Sequence, residues 1–297
     1  MSTGQIHDLG YKRYVGSRRS MGTRWTVIMR HQLATAWKTW WRFRVWLVAG
    51  MLATAVSGGV LYFLSGRMFR MLGGLSGQGI NFADGILPLS MQWYCPIGFI
   101  ISLAIGATVV AGDVQSGAFT FYFARSVRPR DYVIGKLAGL GILLSLVMVG
   151  GPLFLSGLRL GLSDDLDHLI ELAPVVYKAL AVGALGTLVY AAVPLGFSAL
   201  ITNRRYAMAL WAAYYLIIGW MAQGISYVTR PEIAALDLGA ALKGVAMNLF
   251  EVQMNGRNAM IPTSAALISI FGHAAIAIGL VFWRVRNAQQ TGVGGSS

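Results

Sequence analysis

The chain has 297 residues, 56% hydrophobic and 12% charged, with mean hydropathy +0.61 and net charge +13. A soluble globular chain carries about 25% charged residues, so this composition excludes an ordinary water-soluble domain and makes lipid the solvent for most of the chain. The single cysteine, Cys95, excludes an internal disulfide and a cysteine-rich metal site, and at the start of an apolar run it reads as a small buried residue.

Residues 1–24 are polar and basic, with Lys12, Arg13, Arg18, Arg19 and Arg24 against Asp8. No short apolar run precedes a small-residue cleavage site, so this stretch is expected to be a retained cytosolic tail. Residues 25–44 contain no acid. As a helix they carry an apolar stripe of Trp25, Ile28, Met29, Leu33, Ala36, Trp37 and Trp40, with Arg30, Lys38 and Arg42 on the other side. A basic, Trp-rich amphipathic helix of this kind lies in the headgroup layer, as an interfacial elbow before the first span.

Six charge-free segments follow: 45–66, 85–112, 137–158, 179–203, 206–229 and 258–283. Each is long enough to cross a hydrocarbon core of about 30 Å as a helix. Buried backbone must bond within its own segment, and the runs lack the alternation of a membrane β-barrel. Internal glycines such as Gly106, Gly139, Gly183 and Gly219 permit close helix approach, and Gly135-x-x-x-Gly139 is a candidate packing face. The expected fold is an all-α membrane protein, a six-span domain over 45–286. A low-complexity, disordered tail is expected at 287–297.

Orientation follows from the basic residues. With the N-terminus inside, the inner segments hold seventeen Lys and Arg against three acids, and the outer segments seven against eight. The excess charge is therefore a topological signature, with both termini cytoplasmic, rather than a nucleic-acid footprint. Among the outer segments, 163–172 is an acidic loop without EF-hand spacing. The long segment 231–260 carries Leu238, Leu242, Val245 and Leu249 at helical spacing, with Lys243 and Glu251 off that face. It predicts a helix on, or dipping into, the outer leaflet.

No phosphate-binding loop of the G-x-x-x-x-G-K-[ST] type occurs: Gly135-Lys136 is followed by Leu137. No metalloprotease, nucleophile-elbow or dinucleotide motif stands in a credible context, so the chain is expected to do no covalent chemistry and to hold no cofactor or metal. His273 in the sixth span and Gln223 in the fifth form a possible intramembrane polar site.

The basic insert between the second and third spans, 113–136, organises the rest. Asp113 is read as opening a short helix, with Phe119, Tyr122 and Phe123 on one side. Aromatic and Arg residues anchor partner contacts, although Arg125, Arg128 and Arg130 equally satisfy the charge asymmetry of the topology. The run of an acid, Gly-Ala, aromatics and then Ala-Arg-Ser-x-Arg-Pro-Arg-Asp-Tyr-x-x-Gly-Lys resembles the cytoplasmic loop of ABC transporter permeases of the type 2 exporter family. The matching residues are Asp113, Gly117, Arg125, Tyr132, Gly135 and Lys136. Asp113 stands where Glu is commoner, and Ser126 where many members have Pro.

The resemblance implies an exporter permease of the bacterial inner membrane that pairs with a second, identical or homologous permease. A separate ABC ATPase subunit, binding ATP and Mg, would dock on a coupling helix at 113–124. Asp113, Gly117, Phe119, Tyr122, Phe123, Arg125 and Arg128 are the expected coupling residues. The alternatives left by the residues alone are an autonomous secondary transporter using His273 and a non-transporting membrane scaffold.

Overall fold

The computed structural model describes residues 23–65, 82–124, 127–163, 166–252 and 261–290. Helices account for nearly all of them, and no strand occurs among them. The helices are α1 (Arg24–Lys38), α2 (Arg44–Ser65), α3 (82–115), α4 (Ala118–Ala124), α5 (Pro129–Gly161), α6 (Leu166–Leu172), α7 (Pro174–Leu200), α8 (Arg204–Ser226), α9 (Leu238–Leu249) and α10 (Thr263–Gln290). Six are long and apolar enough to cross a membrane: α2, α3, α5, α7, α8 and α10. The chain is thus a six-span, multi-pass helical protein.

The helices overrun the charge-free segments at one end of the bundle. α3 continues to Gln115, α5 begins at Pro129, and α10 continues to Gln290. Asp113, Asp131, Lys136, Arg284 and Arg286 therefore sit on helix, and 287–290, read as the start of a disordered tail, form its last turn. An apolar run marks only the part of a helix that faces hydrocarbon. The polar turns at its ends keep the same backbone bonding. The rest of the tail and the residues before 23 lie outside the described residues.

α7 is the central helix. It packs against α3, α5, α8, α9 and α10. The most apolar windows of α3 and α7 are 67% and 61% buried, against 22% for α2 and 17% for α8. The last two therefore offer most of the free lateral surface. α5 is interrupted at Val149, three residues before Pro152. Pro152 has no N–H for the Met148 carbonyl, and Gly183 of α7 lies so close to that carbonyl that a methyl group there would collide with it.

α3 and α8 each contain one wide, π-type turn, Ser102–Gly106 and Tyr214–Ile218. Around them gathers an aromatic cluster. Phe99 stacks on Tyr215 at 4.0 Å between ring centroids, and buried Trp211 donates to Ser102 Oγ at 3.0 Å. Such turns free backbone groups and widen the helix locally.

Residues 231–252 enter the bundle rather than lying on its surface, and 253–260 lie outside the described residues. A 3-10 turn, Pro231–Leu236, leads to α9, whose residues 238–242 and 244–247 are buried between α3, α7 and α10. Asp237 caps it, accepting from the N–H groups of Gly239 at 2.9 Å and Ala240 at 3.2 Å. Small residues, three Ala and two Gly among the buried ones, let this short helix enter the bundle.

Candidate functional site

The site lies at the end of the bundle where α3 stops and α5 starts, the end that also carries α1. Asp113 does not open a short helix. It occupies the last turns of α3, and Gly117, at φ +65°, makes the turn into α4. That left-handed conformation suits glycine, which has no Cβ to clash.

The Asp113 carboxylate points at α5. One oxygen, Oδ2, accepts from the Tyr132 hydroxyl at 2.7 Å and from Lys136 Nζ at 2.7 Å. Tyr132 is fully buried, Lys136 is 6% exposed and Asp113 19%. The Lys136 ammonium also lies 5.2 Å from the centre of the Tyr132 ring, within reach of a cation–π attraction. Asp131 fixes the start of α5 by accepting from the Arg128 N–H at 3.2 Å.

Three of the four aromatics of α4 pack towards α5 or one another. Phe119 is buried and meets the Tyr132 ring edge-on at 5.2 Å, Tyr122 does the same at 5.6 Å, and Phe123 stacks on Phe119 at 5.7 Å. Burial first, then the charge of Asp113, pushes the Tyr122 phenol up to about 12, so it stays neutral. Phe119 and Tyr122 thus hold α4 to α5, while Tyr122 and Phe123 remain half-buried. Phe121 is 75% exposed, and Thr120, Arg128 and Arg130 are exposed as well. Arg125 lies outside the described residues.

α1 rests on the first half of α5. Its buried row is Ile28, Gln32 and Ala36 rather than the seven-residue stripe. Gly135 and Gly139 make the seat: a Cβ at 135 would stand 2.8 Å from Ile28 Cβ and from the Trp25 carbonyl, and one at 139 would stand 3.1 Å from the Gln32 amide. The Gly135-x-x-x-Gly139 face is therefore occupied within the chain by α1. Trp25, Met29 and Leu33 are half-buried, while Arg30, Trp37, Lys38, Trp40 and Arg42 are exposed.

Nor is 25–44 one helix. α1 ends at Lys38, Thr39 is extended, Trp40–Arg42 form a 3-10 turn, and buried Phe43 leads into α2. Arg44 closes the corner by donating to the Trp37 carbonyl at 2.7 Å and lying near the rings of Trp37 and Trp40, a cation at a helix C-terminus.

At the other end of the bundle, Gln223 and His273 converge on residues 235–237. Gln223 donates to Asp237 Oδ2 at 3.0 Å. His273 bonds Tyr214 through Nε2 and approaches the Ser269 carbonyl through Nδ1 at 2.7 Å, while Ser269 donates to the Ala235 carbonyl. Both ring nitrogens are engaged, so the imidazole acts as a strut between α8 and α10. Comparison with protein-family models finds no match for this chain, and comparison with curated proteins finds none either.

Proposed function

We propose that this chain is the transmembrane subunit of an ATP-driven exporter of the ABC type 2 family. In this reading the end bearing α1, α4 and the excess charge faces the cytoplasm of a bacterial inner membrane. α1 and the Trp40–Arg42 turn lie in the headgroup layer, and a second permease copy or a homologue completes the path. A separate ATPase subunit supplies ATP and Mg chemistry, and this chain does none.

One observation carries the proposal: a short helix, α4, packs on Tyr132, whose hydroxyl joins the ion pair that links α3 to α5. A partner pressing on Phe121, Arg128 and Arg130 moves α4. The Tyr132 clamp and the Asp113–Lys136 pair then deliver that movement to α3 and α5 together, as rigid-body switching requires. The groove of about 550 Å³ between α2 and α5, lined mainly by aliphatic residues and glycine, suits lipidic or amphipathic cargo.

The test is capture of the chain from its native membrane in mild detergent, with every copurifying protein identified. A stoichiometric partner bearing a phosphate-binding loop is expected, with Phe121→Asp reducing its recovery at least tenfold while the chain stays folded. A chain that emerges alone or only with itself overturns the proposal and leaves the autonomous transporter or the scaffold.

A further inference from the structure

At the same end of the bundle a cavity of about 190 Å³ opens between α1, α3, α5 and α8, bounded by His31, Gln32, Arg42, Asp113, Lys136 and Arg204 among others. The space is large enough for several waters, or for a phosphate group with a few of them.

Gln32 is the diagnostic residue. It is 5% exposed, it borders the cavity, and neither Oε1 nor Nε2 has a hydrogen-bond partner. A buried amide left unbonded carries a desolvation penalty, and native structures rarely leave one so. The neighbouring positions of the same helix row, Ile28 and Ala36, are apolar. An amide between them is explained by a polar occupant.

The charges choose the sign of that occupant. Lys136 and Asp113 neutralise one another at 2.7 Å. Arg42 and Arg204 remain, a surplus of two positive charges. Arg204 is held in place: its Nη2 reaches the Gly112 carbonyl at 3.4 Å, and a Cβ at 112 would meet its Nε at 2.5 Å, so the absence of a side chain there lets the guanidinium lie against α3. Among the described residues its side chain has no other acceptor, and planar guanidinium forks suit phosphate. Exposed Trp37 and Trp40, close in sequence to Arg42, are of the type that settles at headgroup depth.

We infer that this cavity is a binding site for a phosphate group, carried by an acidic phospholipid or free in solution. Gln32 donates an amide hydrogen, Arg42 and Arg204 supply the charge, and Lys136 stays with Asp113. The site makes no use of an ATPase partner, so it stands or falls independently of the transporter reading.

The test uses the purified full chain in a neutral detergent, stripped of lipid. It is titrated separately with dioctanoyl phosphatidylglycerol, dioctanoyl phosphatidylcholine and inorganic phosphate, with binding read by calorimetry. Phosphatidylglycerol is expected to bind at least tenfold more tightly than phosphatidylcholine. The Arg42→Gln/Arg204→Gln variant should lose at least tenfold of that affinity. Gln32→Leu should lose about as much without a lower unfolding midpoint, since it removes an unsatisfied amide. Arg205→Gln/Arg286→Gln removes two charges from the same end outside the cavity and should stay within twofold. Inorganic phosphate that binds and competes with the lipid assigns the site to the free ion; phosphate that does not compete assigns it to lipid. Binding of neither, equal binding of the two lipids, or an equal loss in the Arg205/Arg286 control overturns the inference.

Discussion

Breaking the Asp113–Lys136 pair is the sharpest test of the junction between α3, α4 and α5. At 2.7 Å and an effective dielectric of 20, the Coulomb attraction is about 6 kcal/mol. Desolvating two ions offsets much of this, so the intact pair contributes little net stability. Removing one partner is different, because the other charge stays buried. Asp113→Asn strands Lys136, which is 6% exposed, and Lys136→Met strands Asp113, which is 19% exposed. Each single change should cost about 3 kcal/mol, the lower end of the usual range for a buried pair because Asp113 retains some water. The double variant strands neither charge and should cost less than either single one. The coupling is then at least about 3 kcal/mol. The assay is equilibrium unfolding in mixed detergent micelles for all four proteins of the cycle. A coupling below about 0.5 kcal/mol, the level at which distant sites simply add, refutes the argument that the two groups share one buried site.

Other expectations concern packing and the polar strut. Gly135→Ala and Gly183→Ala each insert a methyl group where backbone already stands, and should destabilise by about 1–3 kcal/mol. Gly157→Ala, with nothing within 4 Å of the new carbon, should change unfolding by less than about 0.5 kcal/mol. Equal effects at all three positions would contradict the described helix contacts. His273→Ala should cost about 0.6 kcal/mol, the mean for a hydrogen bond inside a membrane. A loss beyond about 2 kcal/mol in the same unfolding assay would show that it does more than brace α8 against α10.

The spans were legible because lipid demands long apolar runs, and six such runs stand in the row. Their polar ends were not, since helix continues past the hydrocarbon edge: this is why Asp113 read as a helix start and lies instead in the last turns of α3. Phe119, Tyr122 and Phe123 do share a face of α4, as their spacing of three and four implies. Spacing cannot say what that face meets, and Tyr132, on the next helix, decides it. Gln32 is hard to single out in a stretch dominated by the tryptophans of 25–40. Its place four residues after Ile28 and four before Ala36 was the available signal. Gln223 and His273 stand out as polar groups in apolar spans, but their common anchor at 235–237 belongs to a segment whose spacing predicts only a helix on, or dipping into, the outer leaflet.

The wide turn at Ser102–Gly106 sets how the length of α3 relates to the position of Asp113. Each residue of an α-helix advances the chain by about 100°. Losing one residue between 107 and 112 would therefore swing the Asp113 carboxylate by about that angle, away from Tyr132 and Lys136. Losing one within 102–106 would close a π-turn to an α-turn and leave both flanks in phase. One deletion breaks the junction and its neighbour a few residues upstream spares it. The turn at Tyr214–Ile218 gives α8 the same latitude on the approach to Gln223.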